Sequence, residues 1–294
     1  MSIPLNSRCF ACNLQRNVNL ARTLGDEETA TAFTKDLMAH FLTAPKEAGS
    51  PWLGPGITDL LVKHFGVDPD RYREEKQFSN QFVLERLSQI QAQAENAEDP
   101  VYAGLQLAVL GNYIDFSALQ GEVDFGKLDD MLRSSGDMEL DMAVFEQFKQ
   151  DLAKGKKLLY LTDNAGEIGF DRLFAEQISK QYPQVQITFC VRGGPIHNDA
   201  TREDAAAVQL PFPVIDNGNT VGGTVLRLLS QEAKQAMDAA DVVIAKGMGN
   251  TETMYGCGYN VYYAFLVKCQ RIVEFFEKPM MTPMFIRDPG KRQG

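Results

Sequence analysis

The sequence predicts an α/β protein: a three-layer α/β/α domain on a mainly parallel sheet, preceded by a helical domain. Three observations carry that expectation. After "DLAKGKK", residues 151–157, short apolar runs alternate with helix-length amphipathic segments. Strands separated by helices of that length pair in parallel through crossovers. The runs are apolar on consecutive residues, as strands covered on both faces are, and residues 1 to roughly 150 show only the helical period.

In the helical half, expected to span 1–150, "TATAFTKDLMAHFL" places Phe33, Leu37, Met38, Phe41 and Leu42 on one face. "NQFVLERLSQIQAQAE" does the same with Phe82, Leu84, Leu87 and Ile90, and "VYAGLQLAVLGNYIDF" is apolar nearly all round, the mark of a helix buried on several sides. "APKEAGSPWLGPG" is rich in breakers and reads as a loop. In the second half, 151–294, the strands are expected in "KLLYLTD", "VQITFCVRGG", "FPVIDNG", "DVVIAKGMGN" and "VYYAFLVKC". The helices between them are "EIGFDRLFAEQISKQY", "TREDAAAVQL" and "TVLRLLSQEAKQAMDAA".

A chain of 294 residues, 44% hydrophobic and 23% charged, has room for one large α/β domain and a smaller partner. A formal net charge of −10 argues against sequence-independent binding to nucleic acid or to an anionic membrane, since both need a basic face. No stretch has the length of a membrane span, and "MSIPLNSRCFACNLQRN" has no apolar core of signal-peptide length. Five cysteines, only two of them close together, do not make a disulfide framework. The expected setting is the reduced cytoplasm.

Ligands of open parallel sheets bind beyond the carboxyl ends of the strands. There the sequence gathers Asp163 and Asn164, then Arg192, Asn198 and Asp199, then Lys246, Asn250 and Glu252, and finally Lys268. Asp163, Asn164 and Asp199 offer carboxylate and carboxamide oxygens, which suit a hard divalent cation such as Mg²⁺ or Mn²⁺. Of three histidines only His197 falls near this edge, so a His-rich zinc site is not expected. Turn or cap chemistry is the plainer account of Asp163-Asn164, and Thr201 with Asp204 has capping-box spacing whatever Asp199 does. A lysine ending a buried strand needs an anionic partner, so Lys246 and Lys268, with Arg192 and the "RGGP" and "KGMGN" turns, point to a bound phosphate. No GxGxxG follows the first strand and no GxxxxGK[ST] occurs, so a dinucleotide fold and a P-loop are not supported. A haloacid-dehalogenase-type phosphatase would have a second Asp where Ala165 stands.

"TDNAGEIGFD", "VRGGPIHNDAT", "KGMGNTET" and "FLVKC", in this order, together with "GNYIDF" in the helical half, resemble the damage-control phosphatase family, formerly a domain of unknown function numbered 89. The resemblance implies a helical domain on a three-layer α/β domain and a divalent metal (Mg²⁺, Mn²⁺, Co²⁺ or Ni²⁺) supporting hydrolysis of small phosphate esters. By it, Asp163, Asn164 and Asp199 match the metal ligands, and Lys246 and Lys268 match positions near the phosphate. Asn112 and Asp115, three apart, are expected on one helix face closing over the substrate. "CFAC", Cys9 and Cys12, resembles the N-terminal CxxC of the stand-alone microbial-type branch; the pair reads first as structural and second as half of a metal site.

The expected chemistry is metal-assisted phosphoryl transfer to water, with Asp163, Asp199 and Lys246 catalytic and Asn112, Asp115, Arg192, Lys246 and Lys268 contacting substrate. Asp199 is either a ligand or the group orienting the attacking water. The competing reading is a non-catalytic binder of sugar or cofactor phosphates. A methyltransferase comes third, since "DNAGEIGFD" offers only Gly166 and Gly169 where a Gly-rich nucleoside loop is needed.

Overall fold

A computed structural model describes residues 2–116 and 123–288. Among the described residues seven α-helices precede the first strand: α1 Ser7–Leu24, α2 Glu27–Phe41, α3 Gly54–Phe65, α4 Arg73–Glu95, α5 Pro100–Gly111, α6 Phe125–Arg133 and α7 Met142–Lys154. Then come β1 Lys157–Leu161, α8 Glu167–Gln181, β2 Gln186–Val191, α9 Arg202–Ala207, β3 Val214–Asp216 and α10 Gln231–Ala239. The chain continues as β4 Val242–Lys246, α11 Gly247–Met254, β5 Val261–Leu266, α12 Gln270–Phe276 and β6 Pro283–Arg287. The strands form one sheet in the order β3-β2-β1-β4-β5-β6. β1 to β5 run parallel, and β6 closes the edge antiparallel to β5.

The consecutive apolar residues of each strand serve two cores, because alternate side chains point to opposite faces. Leu158, Tyr160, Phe189, Ile244 and Tyr262 pack under Phe170 and Phe174 of α8, Leu105 and Val109 of α5, and Phe145 and Phe148 of α7. Leu159, Leu161, Val243, Ala245 and Tyr263 meet Met237 of α10, Met254 of α11 and Ile272 of α12. One apolar core therefore runs across residue 150, while Ala21, Phe33, Leu37, Leu53 and Ile57 of the first three helices and the short turn before α3 build a smaller core of their own.

Several local expectations are corrected. The breaker-rich stretch at 44–56 contains a 3-10 turn, Ser50–Leu53, and the start of α3; Pro51 and Pro55 stand at helix N-termini, where a missing N–H costs nothing. Met38 and Leu42 face solvent, although Phe33, Leu37 and Phe41 are buried. "TVLRLLSQEAKQAMDAA" is helical only from Gln231, after a 3-10 turn Leu226–Leu228, because the Ser230 side chain caps the N–H of Ala233. α5 stops at Gly111, so Asn112 and Asp115 lie in the turns after it rather than on a helix face. β6 was not foreseen. The capping box at Thr201 and Asp204 is present.

Between α5, α8 and β4 lies an ion network. Lys246 Nζ donates to Glu167 Oε1 at 2.7 Å, to Asp171 Oδ1 at 2.6 Å and to the carbonyl of Ala108 at 2.8 Å, and all three ionic side chains are 0% exposed. Tyr160 Oη donates to the same Asp171 oxygen at 2.8 Å. Burial pushes the Asp171 carboxyl up to about 7 against the pull of Lys246, with Glu167 adding to the rise. Removing one member of such a pair leaves an uncompensated charge out of water. Lys246→Met is expected to destabilise the fold by about 3–5 kcal/mol, read by urea denaturation followed by circular dichroism. A loss below about 1 kcal/mol, the scale of an exposed pair, would overturn this account.

Candidate active site

The chain leaves β3 at one side of the sheet and re-enters at β4, next to β1, so the strand order reverses between β1 and β4. In open α/β sheets that reversal is where ligands bind. The loop after β1 carries Asp163 and Asn164. It is joined to the loop after β2 by two backbone bonds, Ala200 N to the Asp163 carbonyl at 2.7 Å and Ala165 N to the Asn198 carbonyl at 2.8 Å. This short antiparallel bridge sets Asn164 opposite Asp199. On the other side of β1, α11 starts directly after β4, and its first residue Gly247 has φ +78°. A Cβ there would stand 1.9 Å from Asp163 Oδ2, so both the backbone angle and the carboxylate demand glycine.

Each of the three groups is oriented by buried neighbours. Asp163 Oδ2 accepts from Asn112 Nδ2 at 3.1 Å and from Asn164 Nδ2 at 2.9 Å. The same Asn164 nitrogen reaches Glu167 Oε2 at 2.8 Å, so its carboxamide oxygen is turned the other way. Arg192 Nε donates to Asp199 Oδ2 at 2.7 Å and Arg192 Nη1 to Asn250 Oδ1 at 3.3 Å. Asp163 Oδ1 has Arg192 Nη2 at 3.6 Å, and no hydrogen bond holds Oδ1 of Asp163, Asn164 or Asp199 among the described residues. Burial, with Glu167, Asp199 and Asp115 nearby, holds the Asp163 carboxyl well above its usual range. Burial also pushes Asp199 up to about 6 against Arg192.

Two carboxylates and a carboxamide, each with an oxygen outside the protein's own hydrogen bonds, fit a hard divalent cation, which relieves the repulsion between buried carboxylates. Among the described residues no group of three or more His, Cys, Asp and Glu is arranged to hold a metal, so such a cation would rest on the Asp163–Asn164–Asp199 set with other ligands from outside.

These three residues line a cavity of ≈ 360 Å³ between α1, the start of α3 and the sheet edge. Asp115 lines it as well, and Lys268 borders it with its side chain fully buried. Lys268 Nζ engages two of its three donors, at 2.5 Å to the Asn112 carbonyl and 2.6 Å to Asp115 Oδ2. The turn after α5 thus brings Asn112 and Asp115 together on one lysine, although no helix face joins them. Asn112 itself is fully buried behind the site, with Oδ1 accepting from Leu266 N at 3.0 Å and Nδ2 on Asp163 and Glu167. Arg192 likewise sits behind Asp199 and not on the cavity wall.

Lys246 takes a different place from the one expected of a phosphate ligand. Its ammonium points away from the cavity into the Glu167–Asp171 pair, which supplies the anionic partner that a buried lysine requires. Cys9 and Cys12, by contrast, do reach the cavity wall, as does Cys269, and burial pushes the Cys9 thiol up. Glu167 was missed in the sequence; its signal was a carboxylate three residues after Asn164, in the first turn of the following helix, where it accepts Asn164 N at 3.2 Å.

Among the described residues no helix is long and apolar enough to cross a membrane. A model of the damage-control phosphatase ARMT1-like domain matches residues 5–282. An uncharacterized protein of Methanocaldococcus jannaschii is 30% identical over 93% of this chain and 92% of its own length. A damage-control phosphatase of Archaeoglobus fulgidus is 29% identical over 92% of this chain and 94% of its own. The crystal structure of a DUF89 family protein from Pyrococcus horikoshii, 24% identical, superposes with a TM-score of 0.83 over 97% of this chain and 99% of that one, a likeness of fold. With the family model matched over nearly its whole length, this chain belongs to the damage-control phosphatase ARMT1-like family.

Proposed function

We propose that this protein is a metal-dependent phosphatase that hydrolyses small phosphate esters, sugar phosphates or damaged phosphorylated metabolites, in metabolite repair in the cytoplasm. One observation carries the reading. Asp163, Asn164 and Asp199, the last two paired across a backbone bridge, line one cavity at the β1/β4 reversal, with the buried Lys268–Asp115 ion pair beside them. A non-catalytic phosphate binder needs the lysine but has no use for paired carboxylates, which repel an anion unless a cation stands between. The named activity of the Archaeoglobus fulgidus relative supports the same class.

Asp163, Asn164 and Asp199 are the residues that would hold the cation, which when bound supplies Lewis acidity and charge neutralisation to the ester. The remaining work belongs to the chain. Lys268, held by Asp115 and the Asn112 carbonyl just behind the cavity surface, adds positive charge next to the phosphoryl end. Arg192 fixes the Asp199 carboxylate, and Glu167 with Asn112 fixes the Asn164 carboxamide, so the ligating atoms need little reorganisation. In this reading residues 1–150 form the wall over the substrate and residues 151–294 the phosphoryl end.

Asp163 and Asp199 are buried and paired, so the informative variants keep their shape. Asp163→Asn and Asp199→Asn are expected to abolish calorimetrically measured Mn²⁺ or Mg²⁺ binding, and phosphate release with it, while retaining native circular dichroism. Metal binding of wild-type tightness in both variants would remove these residues from the site.

Lys268→Met addresses the hydrolase more directly. A group that meets charge in the transition state affects turnover more than ground-state binding. The expected result, across a panel of sugar and cofactor phosphates with Mg²⁺, Mn²⁺, Co²⁺ or Ni²⁺, is a kcat lowered by about tenfold or more, the scale of about 1.4 kcal/mol. Full kcat in the folded variant would place the phosphoryl group elsewhere.

A further inference from the structure

The cavity is larger than a phosphoryl group requires. Its ≈ 360 Å³ falls in the range of whole small-molecule sites, so a substrate held at the Asp163–Asp199 floor extends outward. The outer wall has an unexpected charge for a chain with formal net charge −10. Arg8 and Arg16 come from one face of α1 and Arg271 from the first turn of α12, and all three line the cavity. The same cavity is also lined by the weakly polar Cys9, Cys12, Met248 and Met280.

Arg271 is the informative member. In this half-buried residue Nε is buried and has no hydrogen-bond partner among the described residues, and Nη2, on the exposed side, reaches the Pro4 carbonyl at a long 3.4 Å. The guanidinium stands 5.6 Å from the Phe275 ring and has no carboxylate within ion-pair distance among the described residues. The cavity's nearby acid, Glu252, accepts from Ser50 N at 3.1 Å instead. Burial pushes the Glu252 carboxyl up to about 7, so near neutrality it neutralises Arg271 only in part. A buried guanidinium donor without a partner is costly, and a carboxylate or phosphate is the partner its fork fits best. Arg8 adds charge on the same wall while pairing outward with Glu274 at 2.8 Å.

We infer that the outer end of the cavity is a second anion subsite centred on Arg271, so that the phosphate esters taken here carry a carboxylate or a second phosphate at the end away from the scissile group. This rests on the phosphatase reading of the floor, since it is the floor that fixes the first phosphate. The arrangement selects substrates by charge at both ends, with the apolar stretch of thiols and thioethers spanning the carbon skeleton between.

The test is calorimetric titration of the Mg²⁺-loaded protein with alkylphosphonates of one chain length, which are not hydrolysed. One ends in a hydroxyl, one in a carboxylate and one in a second phosphonate. The expected result is that at least one of the doubly anionic ligands binds about tenfold or more tightly than the hydroxyl-ended one, and that Arg271→Met collapses this ratio towards unity. The wild-type comparison stands without the variant, should the variant fold poorly. Which ending gains more identifies the second anion as carboxylate or phosphate. Equal binding of all three ligands overturns the subsite and leaves the phosphatase reading intact. A gain that persists in folded Arg271→Met overturns the assignment to Arg271. Failure of every ligand to bind in a metal-dependent way removes the phosphatase reading, and the subsite with it.

Discussion

The buried contact between Lys246 and Glu167 is the constraint on which the rest of the site depends. Placing an ammonium and a carboxylate out of water costs several kcal/mol per ion, and only close geometry with further hydrogen bonds offsets it. Here both conditions are met, and the additional bonds are the ones that build the site. Glu167 accepts from the side chains of Asn112 and Asn164 and from the backbone of Asn164. Asn112 in turn holds Asp163 and, through Leu266, the end of β5. One carboxylate in the first turn of α8 thereby fixes a carboxamide from the β1 loop and another from the end of α5. A displaced Glu167 would free both.

That network also explains why the site sits where it does. At the β1/β4 reversal the neighbouring loops diverge, and helices must start close to both strands. α11 starts with no intervening loop, which brings Gly247 against the Asp163 carboxylate. Only a residue without a Cβ allows this approach, so a side chain would have to displace Asp163 or shift the helix. The glycine is thus a packing requirement of the acidic floor, although its sequence context, "KGMGN", reads equally well as a phosphate-binding turn.

Much of the fold was legible because its signals are local. Consecutive apolar runs and intervening helical segments specify a parallel sheet, and Thr201 with Asp204 specifies a cap, with no knowledge of distant partners. The candidate site was legible in its position, since Asp163, Asn164 and Asp199 follow strand ends and the fold brings them to one cavity. The less legible parts depend on contacts between remote segments. The cost of burying Lys246 correctly demanded an anion, but the sequence could not show that Asp171 and Glu167, two turns of α8, already supply it. Asn112 and Asp115 have helical spacing, yet α5 ends at Gly111, whose added Cβ would meet the Phe170 ring at 2.7 Å. β6 lies at a sheet edge where half-buried residues carry no strong period.

The N-terminal CxxC gains a physical context from the same geometry. Ile3 N bonds to the Glu252 carbonyl and Leu5 N to the Ala48 carbonyl, both at 2.8 Å, so the segment before α1 is stitched to α11 and to the turn before α3. α1 is thereby set with Cys9, Cys12 and Arg16 on the wall of the cavity that Asp163 and Asp199 also line. Thiols there contribute little charge, since burial raises the Cys9 and Cys269 pKa values and keeps the groups protonated. They leave the arginines on the wall, with the buried Lys268 next to it, as the local field. In a chain of net charge −10 that field has to be short-ranged to admit an anion. At physiological salt, screening over about 8 Å mutes the distant surface carboxylates more than the cations lining the cavity itself. An acidic surface and an anionic substrate are therefore compatible, provided the cations stand inside the cavity rather than around it.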